Sequence, residues 1–547
     1  MAKGYRPVPR DQAFLLPPDM RDWLPPGHPV YLVIAVVEEH LDTSAVHAGR
    51  RTGGAGAAGY DPDMLTALLV WAYANRVTSS RRIEGLCRTD IAFRIICAGD
   101  VPDHVTIARF RAGLGTAAAS LFDQVLILCA RLGMGQLGLV ALDGMKIAAS
   151  ASLSANRTGE SLRKLAAELA AEHAATDAAE DALFGPAVRG DEVPAVLADP
   201  RTRADRITTA LAGLDAEQRA GQEARDQQAA AYLAAVASGQ PGAGKGNRPA
   251  AADVAAAQLL LDRATAAQQA KIDDWEQRNA QHLAATGTRL RNPPRRPAGE
   301  HCRVRQAQEK LDKARARAAA AERKAARKAA ARKGPGPVRN ITDPHSRLMP
   351  VRGGGFIQGY NTQNVTSEDG LIIATELTAS PTDVAWFEPM LGAAQDAAAL
   401  ITAHRPGPGD SDEQIGLLLA DAGYLSEHNL TLDGPDRLIA TGKTRHLQQT
   451  AAGQQPAGGL HRTGPATTAM AARLATSEGI TAYRHRGHIG ERPHGHIKHN
   501  MGFRQLSVRG IPRATAEWKL ACTVHNLFKA ITAGHLTTDA LAALASC

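Results

Sequence analysis

The stretch Leu137-Gly138-Leu139-Val140-Ala141-Leu142-Asp143-Gly144-Met145-Lys146-Ile147 decides how the chain is read. Its apolar residues occupy both phases of an extended segment, which predicts a β-strand buried on both faces. One carboxylate, Asp143, is set into it, and a charge there is costly unless it is paired or holds a cation. An Asp followed by Gly also suits a turn, so the reading depends on acids in similar settings elsewhere. A second apolar strand, Ile415-Gly416-Leu417-Leu418-Leu419-Ala420, ends in Asp421-Ala422-Gly423-Tyr424. A third acid, Glu491, stands within Tyr483–Asn500 among three arginines, one lysine and five histidines. On a helix Lys498 falls about two turns beyond Glu491 and on its face.

The rest of the chain frames these acids. At 547 residues it is too long for one core and should form two to four domains. Apolar residues make up 44% and aromatics only 4%, which predicts globular domains with aliphatic cores. The net charge is +8, but His301 to Asn340 holds thirteen Lys/Arg against three Asp/Glu, so the remainder is near −2. A concentrated basic block points to a polyanionic partner or a solvated helix face. The six cysteines show neither zinc-type pairing nor a disulfide framework, as expected of a reducing cytoplasm. No apolar signal-peptide core follows Lys3 and Arg6, and the run Val30 to Val37 is too short to span a bilayer. A cytoplasmic protein with no membrane contact is expected.

In chain order, a Pro-rich N-terminal segment and an apolar stretch (Tyr31 to Leu41) occupy residues 1–60. Residues 61–130 predict short helices that resemble a helix-turn-helix DNA-binding unit, or equally a plain bundle. Asp61 should cap the first, with Pro62 at its first position. Ser80 should cap the second, and Asp103 a third over His104–Arg111 with Ile107 and Phe110 inward and Arg109 and Arg111 outward. Residues 131–155 contain the Asp143 strand. From 156 to 340 the composition turns Ala-rich and charged, predicting helices near 158–183, 202–238, 250–287 and 303–333. Ile207, Leu211 and Leu214, and separately Val254, Leu261 and Trp275, keep coiled-coil spacing, so thin antiparallel arms are expected. Residues 341–535 predict two strands joined by Ser367–Gly370, a helix from Asp383 to Thr402, the Asp421 strand, a strand at Arg437–Ala440, a linker (451–480) and a last helix over Ala516–Ala530. A tail (536–547) closes the chain.

The order strand Asp, strand-end Asp, helix Glu is that of a ribonuclease-H-like core, where acids gather two divalent metals for in-line attack on a phosphodiester. The motifs resemble those of bacterial insertion-sequence transposases of the DDE type, whose third acid lies in a Tyr-x2-Arg-x3-Glu-x6-Lys pattern. Tyr483 and Arg486 keep the first spacing and Glu491 and Lys498 the last, while four residues rather than three separate Arg486 from Glu491. Ala141–Gly144, Ala420–Tyr424, Thr342-Asp343-Pro344, Gln358–Asn361, Ser79–Glu84 and Pro102–Arg111 resemble the same family, over about 60–150 and 340–530. The resemblance implies an α/β, ribonuclease-H-like mixed sheet with a helical N-terminal domain and a long helical insertion. It implies Asp143, Asp421 and Glu491 as catalytic acids holding two Mg²⁺, with Mn²⁺ able to substitute. Tyr483, Arg486 and Lys498 would contact transposon-end DNA, joined by Arg109 and Arg111 of the N-terminal unit. The partners implied are double-stranded DNA, as terminal inverted repeats and target, and a second copy of the chain in a homodimeric synaptic complex. A nuclease without strand transfer, and a non-enzymatic coiled-coil DNA-binding protein, are the competing readings. The crowded His494, His496 and His499 match no zinc-finger spacing, and Asp343, followed by Pro, reads as a turn residue.

Overall fold

The computed structural model describes residues 19–48, 59–168, 171, 203–239, 249–330, 337–351, 353–406, 414–442 and 464–545. The Pro-rich start, most of the helix expected to end near 183, the breaks at 241–246 and 334–336 and the first part of the 451–480 linker lie outside them. The chain divides into two compact units, Met1–Asn156 with Asn340–Cys547, and Arg157–Arg339.

The strands in chain order are β1 (Leu139–Ala148), β2 (Asn156–Thr158), β3 (Val338–Asn340), β4 (Arg347–Pro350), β5 (Phe356–Ser367), β6 (Ile372–Thr378), β7 (Leu417–Ala420) and β8 (Asp436–Ile439). A mixed sheet runs β4-β5-β1-β7-β8, with β6 also on β5; β2 and β3 form a separate pair. β1 pairs antiparallel with β5 and parallel with β7, and β7 runs parallel with β8. The β5–β6 hairpin closes where Gly370 adopts φ 89° and donates its N–H to Ser367 O at 2.9 Å. A parallel neighbour for β1 demands a crossover, and the helix Phe387–His404 supplies it.

β1 is covered on both sides. Val140 and Leu142 belong to the main core with Phe387 and Met390, whereas Ala141 joins Leu419, Leu438, Met470, Leu474 and Ile489 in a smaller cluster on the other face. The Asp-Gly pair therefore lies within a strand and not a turn. No single described helix is long and apolar enough to cross a membrane.

Asp61 and Asp103 cap the helices Pro62–Ala74 and His104–Gly113 through their side chains. Ser79, not Ser80, occupies the cap position of Ser80–Thr89, and a further short helix, Ile91–Ile96, starts on Asp90. These helices share the hydrophobic core of the sheet. The joint is Glu517, fully buried on the helix Ile511–Thr532. It accepts from Tyr73 Oη at 2.6 Å and Ser507 N at 2.7 Å, and Arg111 Nε lies 3.8 Å away. The expectation that Arg111 faces outward is thus not met: the side chain is only 7% exposed and donates to Thr78 O and Ser80 Oγ. A buried carboxylate draws the nearest cation inward because neither is tolerated alone.

The second unit contains the long helices Arg203–Ala237, Ala250–Thr286 and Cys302–Ala330. Ile207, Ala210 and Leu214 are buried on the first, and Val304, Ala307 and Leu311 on the third. On the middle helix the buried positions are Ala252, Ala256, Ala257 and Gln268, so Val254, Leu261 and Trp275 are not its innermost residues. Residues beyond 535, expected as a tail, include the helix Thr538–Ala545.

Candidate active site

Strand register brings two of the acids together. Leu142 pairs with Ala420 across β1 and β7, so Asp143 and Asp421 follow side by side where β7 ends and β1 continues. The helix Ser477–Gly495 lies against β1 at this point. A Cβ on Gly490 would stand 3.2 Å from Asp143 Cβ, tighter than an ordinary contact, so glycine here permits the close approach. From that helix Arg486 reaches both acids beside it: Nη1 is 3.5 Å from Asp143 Oδ1 and Nη2 3.3 Å from Glu491 Oε1. His494 Nδ1 lies 3.4 Å from Asp143 Oδ2, and its buried Nε2 has no partner among the described residues. Asp421 Oδ1 accepts from Gly423 N at 2.7 Å.

The electrostatics differ from acid to acid. Burial pushes the Asp143 carboxyl up, but the His494 hydrogen bond and the charges of His494 and Arg486 outweigh it, and the net shift is downward. Asp421 shifts upward, through burial first and then the nearby negative charges of Asp143 and Asp383, with its Gly423 bond and Arg486 only partly compensating. Arg486 is pulled down by burial yet held above its ordinary value by Tyr483, Asp143, Asp421 and Glu491. The cluster thus concentrates negative charge around one cation. Carboxylate oxygens are the hard donors that Mg²⁺ and Mn²⁺ take, and the Arg486 guanidinium stands in for positive charge between two of them. By donor type the set suits a divalent metal, although among the described residues Asp143, Asp421 and Glu491 do not gather within ligand distance of one another.

Other expected residues are placed differently. Tyr483 donates its hydroxyl to Ala420 O at 3.2 Å, immediately before Asp421, and burial pushes its phenol up to about 12. Lys498 does not continue the helix face of Glu491, because Pro493 interrupts the hydrogen-bond ladder and His496–Asn500 form a π-turn. Its Nζ donates to Lys146 O at 3.0 Å, and burial pulls its ammonium down. Tyr483, Arg486 and Lys498 are half-buried and each has a partner within the protein; of the expected DNA-contacting residues only Arg109 is exposed. Arg484, His488 and Arg492, spaced four apart on the same helix, are exposed. Asp343 is fully buried and spent on Tyr360 Oη (2.8 Å) and Gly510 N (3.2 Å).

One acid at the site escaped the sequence reading. Asp383 stands at the start of Val384–Trp386, the position of a helix cap, yet its carboxylate caps nothing. Oδ1 instead accepts from Asn361 Nδ2 at 2.6 Å and Gln363 Nε2 at 2.9 Å, with Lys146 Nζ at 3.5 Å. Asn361 and Gln363 sit opposite Lys146 and Gly144 in the β1–β5 register, on the face of β1 away from Asp143. A Cβ at position 144 would meet Asp383 Oδ1 at 2.9 Å and Gln363 Nε2 at 3.0 Å; the glycine after Asp143 leaves room for this group. Tyr424 Oη donates to Gln363 Oε1, and burial, then Asp383, Asp143 and Asp421, push its phenol up. The sequence signal was an Asp after a strand in a chain whose other acids sit at strand ends, masked by the capping preference of Asp.

Comparison with known families gives two matches. Residues 18–113 match the family described as Transposase domain (DUF772), and residues 459–531 match Transposase DDE domain. The second match includes Tyr483, Arg486, Glu491 and Lys498; Asp143, Asp383 and Asp421 lie outside both. No curated protein and no solved structure matches the chain.

Proposed function

We propose that this chain is an insertion-sequence transposase of the DDE type, as its two transposase-domain matches support, and that Asp143, Asp421 and Glu491 form its catalytic centre on a ribonuclease-H-like core. The observation that carries the reading is Arg486, whose one guanidinium reaches Asp143 and Glu491 and responds to Asp421. The sheet supports it too: an antiparallel β1–β5–β6 meander followed by parallel β7 and β8 is the strand order such a core requires.

A DDE transposase acts on DNA and depends on divalent metal; here two Mg²⁺ ions, replaceable by Mn²⁺, would be held by Asp143, Asp421 and Glu491. When bound, they supply Lewis acidity to the phosphodiester and a more acidic attacking hydroxyl. In hydrolysis the water oxygen bonds to phosphorus and the bond from phosphorus to the 3′-oxygen breaks. In strand transfer the freed 3′-oxygen bonds to a target phosphorus as that phosphorus's bond to the target 3′-oxygen breaks, which joins element to target and frees a target 3′-hydroxyl.

The protein groups divide the remaining work. Arg486 keeps the acids from repelling one another, and its planar fork suits a phosphate once their charge is balanced otherwise. Tyr483 ties down the carbonyl before Asp421, and Lys498 the carbonyl of Lys146 in β1. Arg484, His488 and Arg492 present the outward basic stripe for the DNA backbone, with Arg109 as a contact from the N-terminal helices. The thin seam of the insertion and the exposed Leu260 and Leu283 on its middle helix support coiled-coil pairing of two copies into a dimer that holds two element ends.

The test is incubation with an element-end duplex and Mg²⁺ beside Asp143→Ala and Glu491→Gln. Both variants should bind DNA and fail to cleave; cleavage surviving Asp143→Ala overturns the assignment. Joined products distinguish transposition from nuclease action alone.

A further inference from the structure

We infer that Asp383 is a fourth acid of this centre, presenting its Oδ2 beside Asp421 as a ligand for one of the divalent ions. The inference rests on the reading of Asp143, Asp421 and Glu491 as a metal site and extends it to a residue on the opposite face of β1.

Three observations converge. First, Asp383 occupies a capping position without capping, so its carboxylate has been withdrawn from the role that its place in the chain would give it. Second, its two oxygens are treated differently. Oδ1 is saturated by Asn361, Gln363 and Lys146, while Oδ2 accepts no hydrogen bond among the described residues. An oxygen left open on a carboxylate that is otherwise pinned by three donors is the arrangement that orients metal ligands. Third, the open oxygen faces Asp421: a Cβ on Gly423 would lie 2.8 Å from Asp421 Oδ1 and 3.2 Å from Asp383 Oδ2, so both oxygens border one point. Glycine at 423 leaves that point free.

Lys146 does not neutralise the pair. It sits on the Oδ1 side, 3.5 Å away, and leaves Oδ2 facing Asp421. Two carboxylates that close, held from two sides of a sheet by separate elements, are stabilised by a cation between them.

The experiment measures binding of Mn²⁺ alone to the full chain by electron paramagnetic resonance, without DNA. Asp383→Asn, which keeps an oxygen for Asn361 and Gln363, should stay folded and bind one ion at least tenfold more weakly than wild type. Asp383→Cys should acquire Cd²⁺ binding with a thiolate-to-metal absorption band, because a soft sulfur ligand replaces a hard oxygen; a residue that only braces the fold gives no such band. Unchanged Mn²⁺ affinity and stoichiometry in Asp383→Asn, or no Cd²⁺ band in Asp383→Cys, overturns the inference. Asp143→Asn separates the two levels: if it too leaves Mn²⁺ binding unchanged, the underlying metal site fails, and not merely its fourth acid.

Discussion

The two acids that stand side by side where β1 and β7 pair are treated in opposite ways. Under the helix Ser477–Gly495, Asp143 has the Arg486 guanidinium and the His494 ring both within 3.5 Å, and its carboxyl is held below the ordinary value. At the end of β7, Asp421 is pushed up by burial first and then by the negative charges of Asp143 and Asp383. One carboxylate is already stabilised by the protein; the other is left wanting a cation. The contrast teaches that the fold supplies positive charge to one acid and leaves the other costly to ionise.

The strongest way to break this contrast is Asp143→Asn. Cleavage should fall on the order of 10³-fold, as when a group stabilising the transition state is removed. Arg486, only 15% exposed, would lose an anionic partner, and stability should drop by about 3 kcal/mol, read by urea denaturation. Stability equal to wild type would mean that Arg486 does not depend on Asp143.

Next in size is Gly490→Ala. The added methyl, 3.2 Å from Asp143 Cβ and 3.5 Å from Ala141 Cβ, must lift the helix from the strand, costing roughly 1–3 kcal/mol. Cleavage should weaken more than DNA binding, because the outward stripe is untouched; equal loss of both would point to general unfolding.

A pH effect belongs to a histidine away from the acids. His525 is pulled down to about 3 by burial first and then by His496, and its ring hydrogen-bonds Gly370 O at 3.1 Å. The unfolded chain therefore takes up a proton near the ordinary histidine value of about 6.5 that the native state refuses. Stability should be fully present above that value and decline by about 1 kcal/mol per pH unit as pH falls toward 3. His525→Gln should flatten the slope in acid denaturation; an unchanged slope would assign it to other groups.

The smallest expected effect has the opposite sign. Asp421 has a raised folded value, so its ionisation opposes folding: its contribution is favourable below the unfolded value and lost as pH rises through the folded one. Asp421→Asn should abolish cleavage yet raise metal-free stability at neutral pH by up to about 1 kcal/mol. Added Mn²⁺ should stabilise wild type more than this variant. A lower melting temperature for Asp421→Asn would contradict the division between the two sides.

What the sequence determined by itself is what local chemistry dictates. The apolar run around Asp143 had to be a doubly covered strand, and Asp61 and Asp103 had to cap helices, because these outcomes depend on neighbours a few residues away. The motif around Glu491 was equally legible as spacing. The tertiary structure alone decided where charged side chains point. Arg111 turns inward toward the charge of Glu517, buried more than four hundred residues later in the chain, and donates to Thr78 O and Ser80 Oγ. Lys498 leaves the face of Glu491 because Pro493 and the π-turn after it change the helical phase. Asp383 reads locally as a cap and becomes a fourth acid because β5 sets Asn361 and Gln363 opposite Lys146 and Gly144. Helix and strand periodicity is a short-range property, whereas the partner of a buried charge is chosen by whatever the fold brings within a few ångströms.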